Sequence, residues 1–122
     1  MRAIGSVEQM ASVLEAAAKI GINHLETAPA YGPAEQFLGE ALQHCSTFPE
    51  GGWVTTSKLL PGLSLVEGQQ QLDEILYRLG LNTLDNLAVH GINRQEHLEW
   101  ALSGDGAQLL EWAVSSGRVT QL

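Results

Sequence analysis

Cysteine appears only once in this chain, at Cys45, and proline only four times. A single cysteine closes no internal disulfide and builds no thiolate cluster, so neither a disulfide scaffold nor a metal centre is expected. Basic residues are scarce too: six lysines and arginines stand against fourteen aspartates and glutamates, a net charge of −8. A surface of that sign repels phosphate backbones and anionic lipid, so neither nucleic acid nor membrane is an expected partner. No apolar run reaches the ~18 residues of a membrane span, and the N-terminus lacks the apolar core of a signal peptide. The glycines form neither a GxGxxG nor a Walker pattern, so no phosphate cradle is expected. What remains, at 44% hydrophobic and 16% charged residues, is one cytoplasmic globular domain over residues 1–122.

Within that domain the hydrophobic period alternates between helix-like and strand-like. Val7, Met10, Ala11, Leu14 and Ala18 recur at helical steps, with Ser6 placed to cap the start and Gly21 to end it. Residues 22–27 then alternate apolar and polar as a short strand does, and Ala28 to Gly32 is loop. Pro33 opens a helix carrying Phe37, Leu38, Ala41 and Leu42. Trp53 to Leu59 reads as a strand behind a Gly51-Gly52 turn, Val66 to Leu79 as a helix ended by Gly80, and Leu84 to His90 as a third strand. Two helical stretches, 96–102 and 107–116, are broken around Gly104-Asp105-Gly106, and Arg118 to Leu122 begins another strand.

Alternation of this kind predicts a parallel α/β sheet with right-handed crossovers. A doubly wound sheet and a (β/α)8 TIM barrel both satisfy it locally. A full barrel takes ~250 residues, about twice this length, so the barrel reading predicts a partial one. Three polar residues, Tyr31, Lys58 and His90, fall at or just past the ends of separate strands, at intervals of 27 and 32 residues. Each interval is about one strand–helix unit of ~30 residues. Side chains at the carboxyl ends of consecutive parallel strands converge on one crevice. A phenol, an ammonium and an imidazole gathered there make a proton-donating centre.

Five segments in register carry a resemblance: GINHLETAPAYG (21–32), PAEQFLGEAL (33–42), VTTSKL (54–59), LGLNTLDNLAVHGIN (79–93) and GRVT (117–120). Together they resemble the aldo-keto reductases, over the N-terminal half of that family's (β/α)8 barrel. The resemblance implies reduction of a small carbonyl substrate, an aldehyde or ketone, with a nicotinamide cofactor, commonly NADPH. It makes Tyr31 the catalytic tyrosine and general acid, Lys58 the lysine ending the family's third strand and His90 the histidine ending its fourth. Glu26 stands where most members have aspartate, one methylene longer. It implies further that Glu26 and Thr27 are the cofactor contacts within this chain, the rest lying beyond Leu122.

The residue types suit those roles. Hydride delivery puts negative charge on the carbonyl oxygen, which then needs a proton. An ammonium beside the phenol stabilises the phenolate left behind. Glu26 would hold Lys58 charged and in place, and His90 would orient the carbonyl oxygen.

Blander readings stand beside these. Tyr31 alone reads as a half-buried aromatic over the strand ends, and His90 as a structural histidine satisfied by a backbone partner. Lys58 is harder to set aside, since an unpaired ammonium on an apolar strand is costly to bury. His24 reads as a local cap or pair, Trp100 and Trp112 as helix anchors, and Trp53 as packing. His44 and His97 lack metal-ligand spacing, and Cys45 lacks a basic neighbour to activate it.

Half a barrel leaves two open strand edges and an uncovered inner face, which favour association. The expected partner is a second half-barrel, either a C-terminal continuation or a second copy in a homodimer. The alternative function is a catalytically inactive half-barrel acting as a structural or interaction module. A third reading is a doubly wound domain complete in itself.

Overall fold

The structure is a computed structural model describing residues 6–122. Its element order is α1 (Val7–Lys19), β1 (His24–Glu26), α2 (Ala34–His44), β2 (Val54–Leu59), α3 (Leu65–Leu79), β3 (Leu84–Val89), α4 (Gln95–Ser103), α5 (Asp105–Ser115) and β4 (Val119–Gln121). The elements fall where the period placed them, with small shifts at the ends. Ser6 caps α1 by accepting from the Gln9 amide at 3.1 Å. At α3 the cap is Ser64, in a reciprocal box with Glu67 that the periodicity did not reveal. Gly80 ends α3 in the left-handed conformation, at φ 68°. The break expected over Gly104-Asp105-Gly106 is confined to Gly104, because Asp105 and Gly106 already belong to the first turn of α5.

All four strands are parallel and lie in the order β1-β2-β3-β4. This order decides between the two architectures. A doubly wound sheet must reverse direction at a switch point to place helices on both faces. Strands added always on the same side carry every right-handed crossover to one face. The sheet is therefore half of a singly wound barrel, and the self-contained doubly wound reading is overturned.

Period-two alternation sorts β2 between its faces. Ser57 and Leu59 point at the helices; Thr56 and Lys58 point the other way, into what is the interior of a barrel. On the helix side, Leu59 and Leu87 meet Leu38, Ala41, Leu72, Ile75, Leu79, Leu109 and Ala113 in one apolar core. Each fully buried leucine or isoleucine there contributes ~1.5–3 kcal/mol relative to exposure.

Among the described residues, one charged side chain is buried with the polar Thr27, Thr55, Thr56 and Ser57. Glu35, in the first turn of α2, is only 1% exposed. It accepts from Ser57 Oγ at 2.8 Å and from Arg78 Nε at 3.1 Å, and Arg78 reaches out to Glu74 as well. A buried carboxylate without such partners would be prohibitive. With them it ties β2, α2 and α3 together. Among the described residues no helix is long and apolar enough to cross a membrane.

The packing of α2 on α3 yields a test. A Cβ added at Gly39 would collide with the Arg78 carbonyl and crowd Leu79 Cα, both backbone atoms that cannot swing away. Gly39→Ala is expected to lower stability by ~1–3 kcal/mol through overpacking, although alanine is the better helix former. Urea unfolding measures it, and an unchanged midpoint would show that the helices have room to separate.

Candidate active site

The sheet brings the sequence candidates to one place by successive steps in register. Lys58 is the penultimate residue of β2 and pairs with Ala88 on β3; His90 follows β3 directly, its amide donating to the Leu59 carbonyl at 2.8 Å. Glu26 ends β1, one row below Lys58, opposite Thr56. Tyr31 lies five residues past β1, in a loop where its amide donates to the Ala28 carbonyl at 3.1 Å. Gly32 turns at φ 63° immediately before α2.

Four groups meet here. Lys58 Nζ sits 2.7 Å from Glu26 Oε1 and donates to Tyr31 OH at 3.0 Å. The same ammonium lies 4.9 Å from the Tyr31 ring centroid. The Tyr31 and His90 rings stand edge to face with centroids 5.6 Å apart. The Glu26 carboxylate reaches Nζ although its residue pairs with Thr56, two residues before Lys58.

The lysine side chain is 14% exposed and the glutamate 57%. Burial alone would pull Lys58 down. The hydrogen bonds to Glu26 and Tyr31, and their charges, outweigh it and hold Lys58 above the ordinary lysine value. The Lys58 hydrogen bond and charge hold the Glu26 carboxyl below its ordinary value. The ammonium therefore stays charged between an anion and a phenol. Because Tyr31 OH accepts from Lys58, its own hydrogen is left free to donate elsewhere.

His90 departs from its bland reading. Its buried Nδ1 has no hydrogen-bond partner, so no backbone group satisfies that nitrogen. His24 is also reassigned. Its Nε2 bonds Thr56 Oγ1 at 2.7 Å on the neighbouring strand, where a local cap or pair was expected. Thr27 is 1% exposed and its hydroxyl has no partner, whereas Glu26 presents its carboxylate to solvent. Of the two expected cofactor contacts, Glu26 is exposed and Thr27 is buried. Cys45 is buried, and desolvation followed by the Glu15 charge pushes its thiol up, away from nucleophilic use. Trp100 anchors α4 by donating to the Leu63 carbonyl at 2.6 Å, and Trp112 packs under Arg118 at 4.4 Å. Among the described residues no group of three or more His, Cys, Asp or Glu could hold a metal ion.

A family model described as the aldo/keto reductase family matches residues 5–122. The chain belongs to that family. Solved structures agree. An aldo-keto reductase from Pseudomonas aeruginosa matches with TM-score 0.81 and 25% identity, over 97% of this chain and 47% of that one. A thermostable aldo-keto reductase in complex with the inhibitor epalrestat matches with TM-score 0.75 and 26% identity, over 93% and 40%. A Klebsiella pneumoniae aldo-keto reductase in complex with NADPH shares the fold at TM-score 0.75 and 22% identity, over 93% and 38%. The chain thus spans about half the length of the aldo-keto reductases it matches or less. No curated protein matches it.

Two polar sets in this half-barrel escaped the sequence reading. Of the Glu35–Ser57–Arg78 set, Glu35 lay inside the quoted segment PAEQFLGEAL, Ser57 inside VTTSKL and Arg78 outside all five, and its one signal was a serine in the middle of a buried strand. The second set runs across the inner face from His24 through Thr56 to Asn86 and Gln121.

The ion pair has a pH signature. A carboxyl whose folded value is lowered contributes stability that is fully present above the unfolded value of ~4.3 and lost as pH falls through the folded value. Glu26→Gln is expected to cost at most ~1 kcal/mol at neutral pH, because the glutamate is more than half exposed. In acid the difference from the parent should vanish, since both chains then leave Lys58 without an anion. Urea unfolding across pH reads it, and a difference that persists in strong acid would assign the loss to packing.

Proposed function

We propose that this chain is the proton-donating half of an NAD(P)H-dependent aldo-keto reductase acting on a small aldehyde or ketone, and that a second half-barrel completes it. The observation that carries this reading is the Lys58 ammonium shared between the Tyr31 phenol and the Glu26 carboxylate. A strand-end lysine held charged, with a phenol as its second partner, suits supplying a proton to a developing oxyanion.

The reduced nicotinamide, when bound, supplies the hydride for the carbonyl carbon. Everything else falls to residues on this chain. Tyr31 donates its free hydrogen to the carbonyl oxygen as charge builds there. Lys58 stabilises the phenolate left behind, and Glu26 keeps Lys58 charged and aimed. His90, edge to face with Tyr31 and with Nδ1 uncommitted, is placed to orient the carbonyl oxygen.

Of the described basic residues, Lys58, Arg78 and Arg118 are paired with carboxylates, Arg94 meets Glu96 only at the exposed surface, and Lys19 stands in the last turn of α1. The reading assigns the cofactor's phosphate contacts to a second half-barrel. The edges β1 and β4, parallel and three residues long each, are the surfaces such a partner would pair with. A C-terminal continuation and a second copy of the chain both offer parallel strands in the required direction.

With the phosphate contacts assigned elsewhere, a second reading stands beside the first, in which the half-barrel persists as an interaction module without turnover. Two measurements separate the two. Supplied with a C-terminal half-barrel, the chain is expected to oxidise NADPH in the presence of an aromatic aldehyde, and Tyr31→Phe to lower that rate at least ~100-fold. A rate unaffected by Tyr31→Phe would remove the phenol from the reaction. Calorimetry on the 122-residue chain alone should detect no tight NADPH binding; micromolar affinity would contradict the module reading and show that this half carries its own cofactor site.

A further inference from the structure

The inner face of the sheet carries a line of hydrogen bonds that the proton-donating group does not use. Gln121 Nε2 on β4 donates to Asn86 Oδ1 on β3 at 2.6 Å. Asn86 Nδ2 donates to Thr56 Oγ1 on β2 at 3.1 Å. Thr56 Oγ1 lies 2.7 Å from His24 Nε2 on β1. One side chain from each of the four strands takes part, and the line crosses the whole half-barrel.

Its position is specific. Strand register sets Glu26, Thr56, Asn86 and Gln121 in one row, with Lys58 and Ala88 in the row above. Bulky branched side chains usually fill a layer at this depth in a barrel. Amides and a hydroxyl are tolerated there only when each finds a partner, and a connected set polarises along its length. The line also touches both strands that hold the ion pair. His24 is two residues from Glu26 on the same face of β1, and Thr56 two residues from Lys58 on the same face of β2.

Proton counting leaves the line two directions. A threonine hydroxyl donates one hydrogen and accepts through two lone pairs. Thr56 Oγ1 accepts from Asn86; it either gives its hydrogen to His24 Nε2 or accepts a second hydrogen from that nitrogen. In the first case Nε2 carries the lone pair and the ring hydrogen sits on Nδ1.

We propose that Gln121, Asn86, Thr56 and His24 form a one-way hydrogen-bond ladder that positions the Glu26–Lys58 pair, with His24 as its Nδ1-protonated end. The proposal rests on the reading of that pair as part of the proton-donating centre. The ladder fixes the separation of β1 from β2 one row beneath the ammonium, so the carboxylate meets Nζ without searching. These are positioning residues, acting on the chemistry through Glu26 and Lys58.

Nitrogen-15 NMR of the imidazoles in the intact 122-residue chain tests the ladder without any turnover. The His24 ring is assigned by its disappearance in His24→Gln. The parent chain is expected to show His24 protonated at Nδ1 and bare at Nε2. Asn86→Asp keeps the shape and the acceptor for Gln121 but removes the donor to Thr56. The Thr56 hydrogen then turns to the introduced carboxylate, and His24 is expected to switch to the Nε2-protonated form. A parent chain already protonated at Nε2, or a tautomer indifferent to Asn86→Asp, would overturn the direction of the ladder. Thr56→Val, a change of one hydroxyl to a methyl, tests positioning through the Glu26 carboxyl titration. Its midpoint is expected to move upward toward the ordinary carboxylate value, and an unmoved midpoint would remove the positioning role. An intact ladder in a chain that never reduces a carbonyl would sink the reductase reading alone; a failed ladder leaves that reading standing.

Discussion

A lysine on a nearly buried strand must be paired, and much of this structure follows from how Lys58 meets that demand. Its ammonium has lost most of its water, so an anion has to stand within hydrogen-bond reach. Glu26 supplies the anion from the next strand and Tyr31 a second oxygen from the loop above. The requirement fixes the relation of β1 to β2, the path of the loop through Gly32, and the placing of the phenol over the strand ends. The same contacts that solve a burial problem leave a phenolic hydrogen unengaged beside a fixed positive charge. Stability and chemistry share one set of atoms.

Strand β2 serves both faces at once. Thr55, Thr56, Ser57 and Lys58 form a polar run in a central strand, where an all-apolar run would be usual for a parallel sheet. Each polar side chain is accounted for. Thr55 bonds Asp85, Ser57 bonds the buried Glu35, Thr56 joins the inner-face ladder, and Lys58 takes the ion pair. The helix side of the strand therefore specifies which helices dock, while the other side prepares the site. Because successive residues alternate between the two, a slip of one position would exchange them. The cross-strand hydrogen bonds on both faces oppose such a slip.

The half-barrel is coherent on its helix side and unfinished elsewhere. Its helices cover one face with a continuous apolar core, but the inner face is lined by polar groups and the two edge strands are short and unpaired among the described residues. Polar lining suits an interior that faces a second half and a bound ligand better than one packed dry. The chain belongs to the aldo/keto reductase family and covers less than half of a solved relative's length.

Local chemistry in the sequence determined the helices, the strands and the caps at Ser6 and Gly80, because period and end signals act within a few residues. It also placed Tyr31, Lys58 and His90 at strand ends, since unit lengths in an alternating α/β chain leave little freedom. Its motifs carried the family resemblance and, through it, the pairing of Glu26 with Lys58. Tertiary structure decided the rest. Whether the sheet is singly or doubly wound depends on strand order, which no local pattern contains. The burial of Glu35 between Ser57 and Arg78, the reach of His24 to Thr56 instead of a local partner, and the recruitment of Asn86 and Gln121 all depend on cross-strand register. Register is set by packing between residues far apart along the chain, so these contacts exist only once the chain has closed on itself.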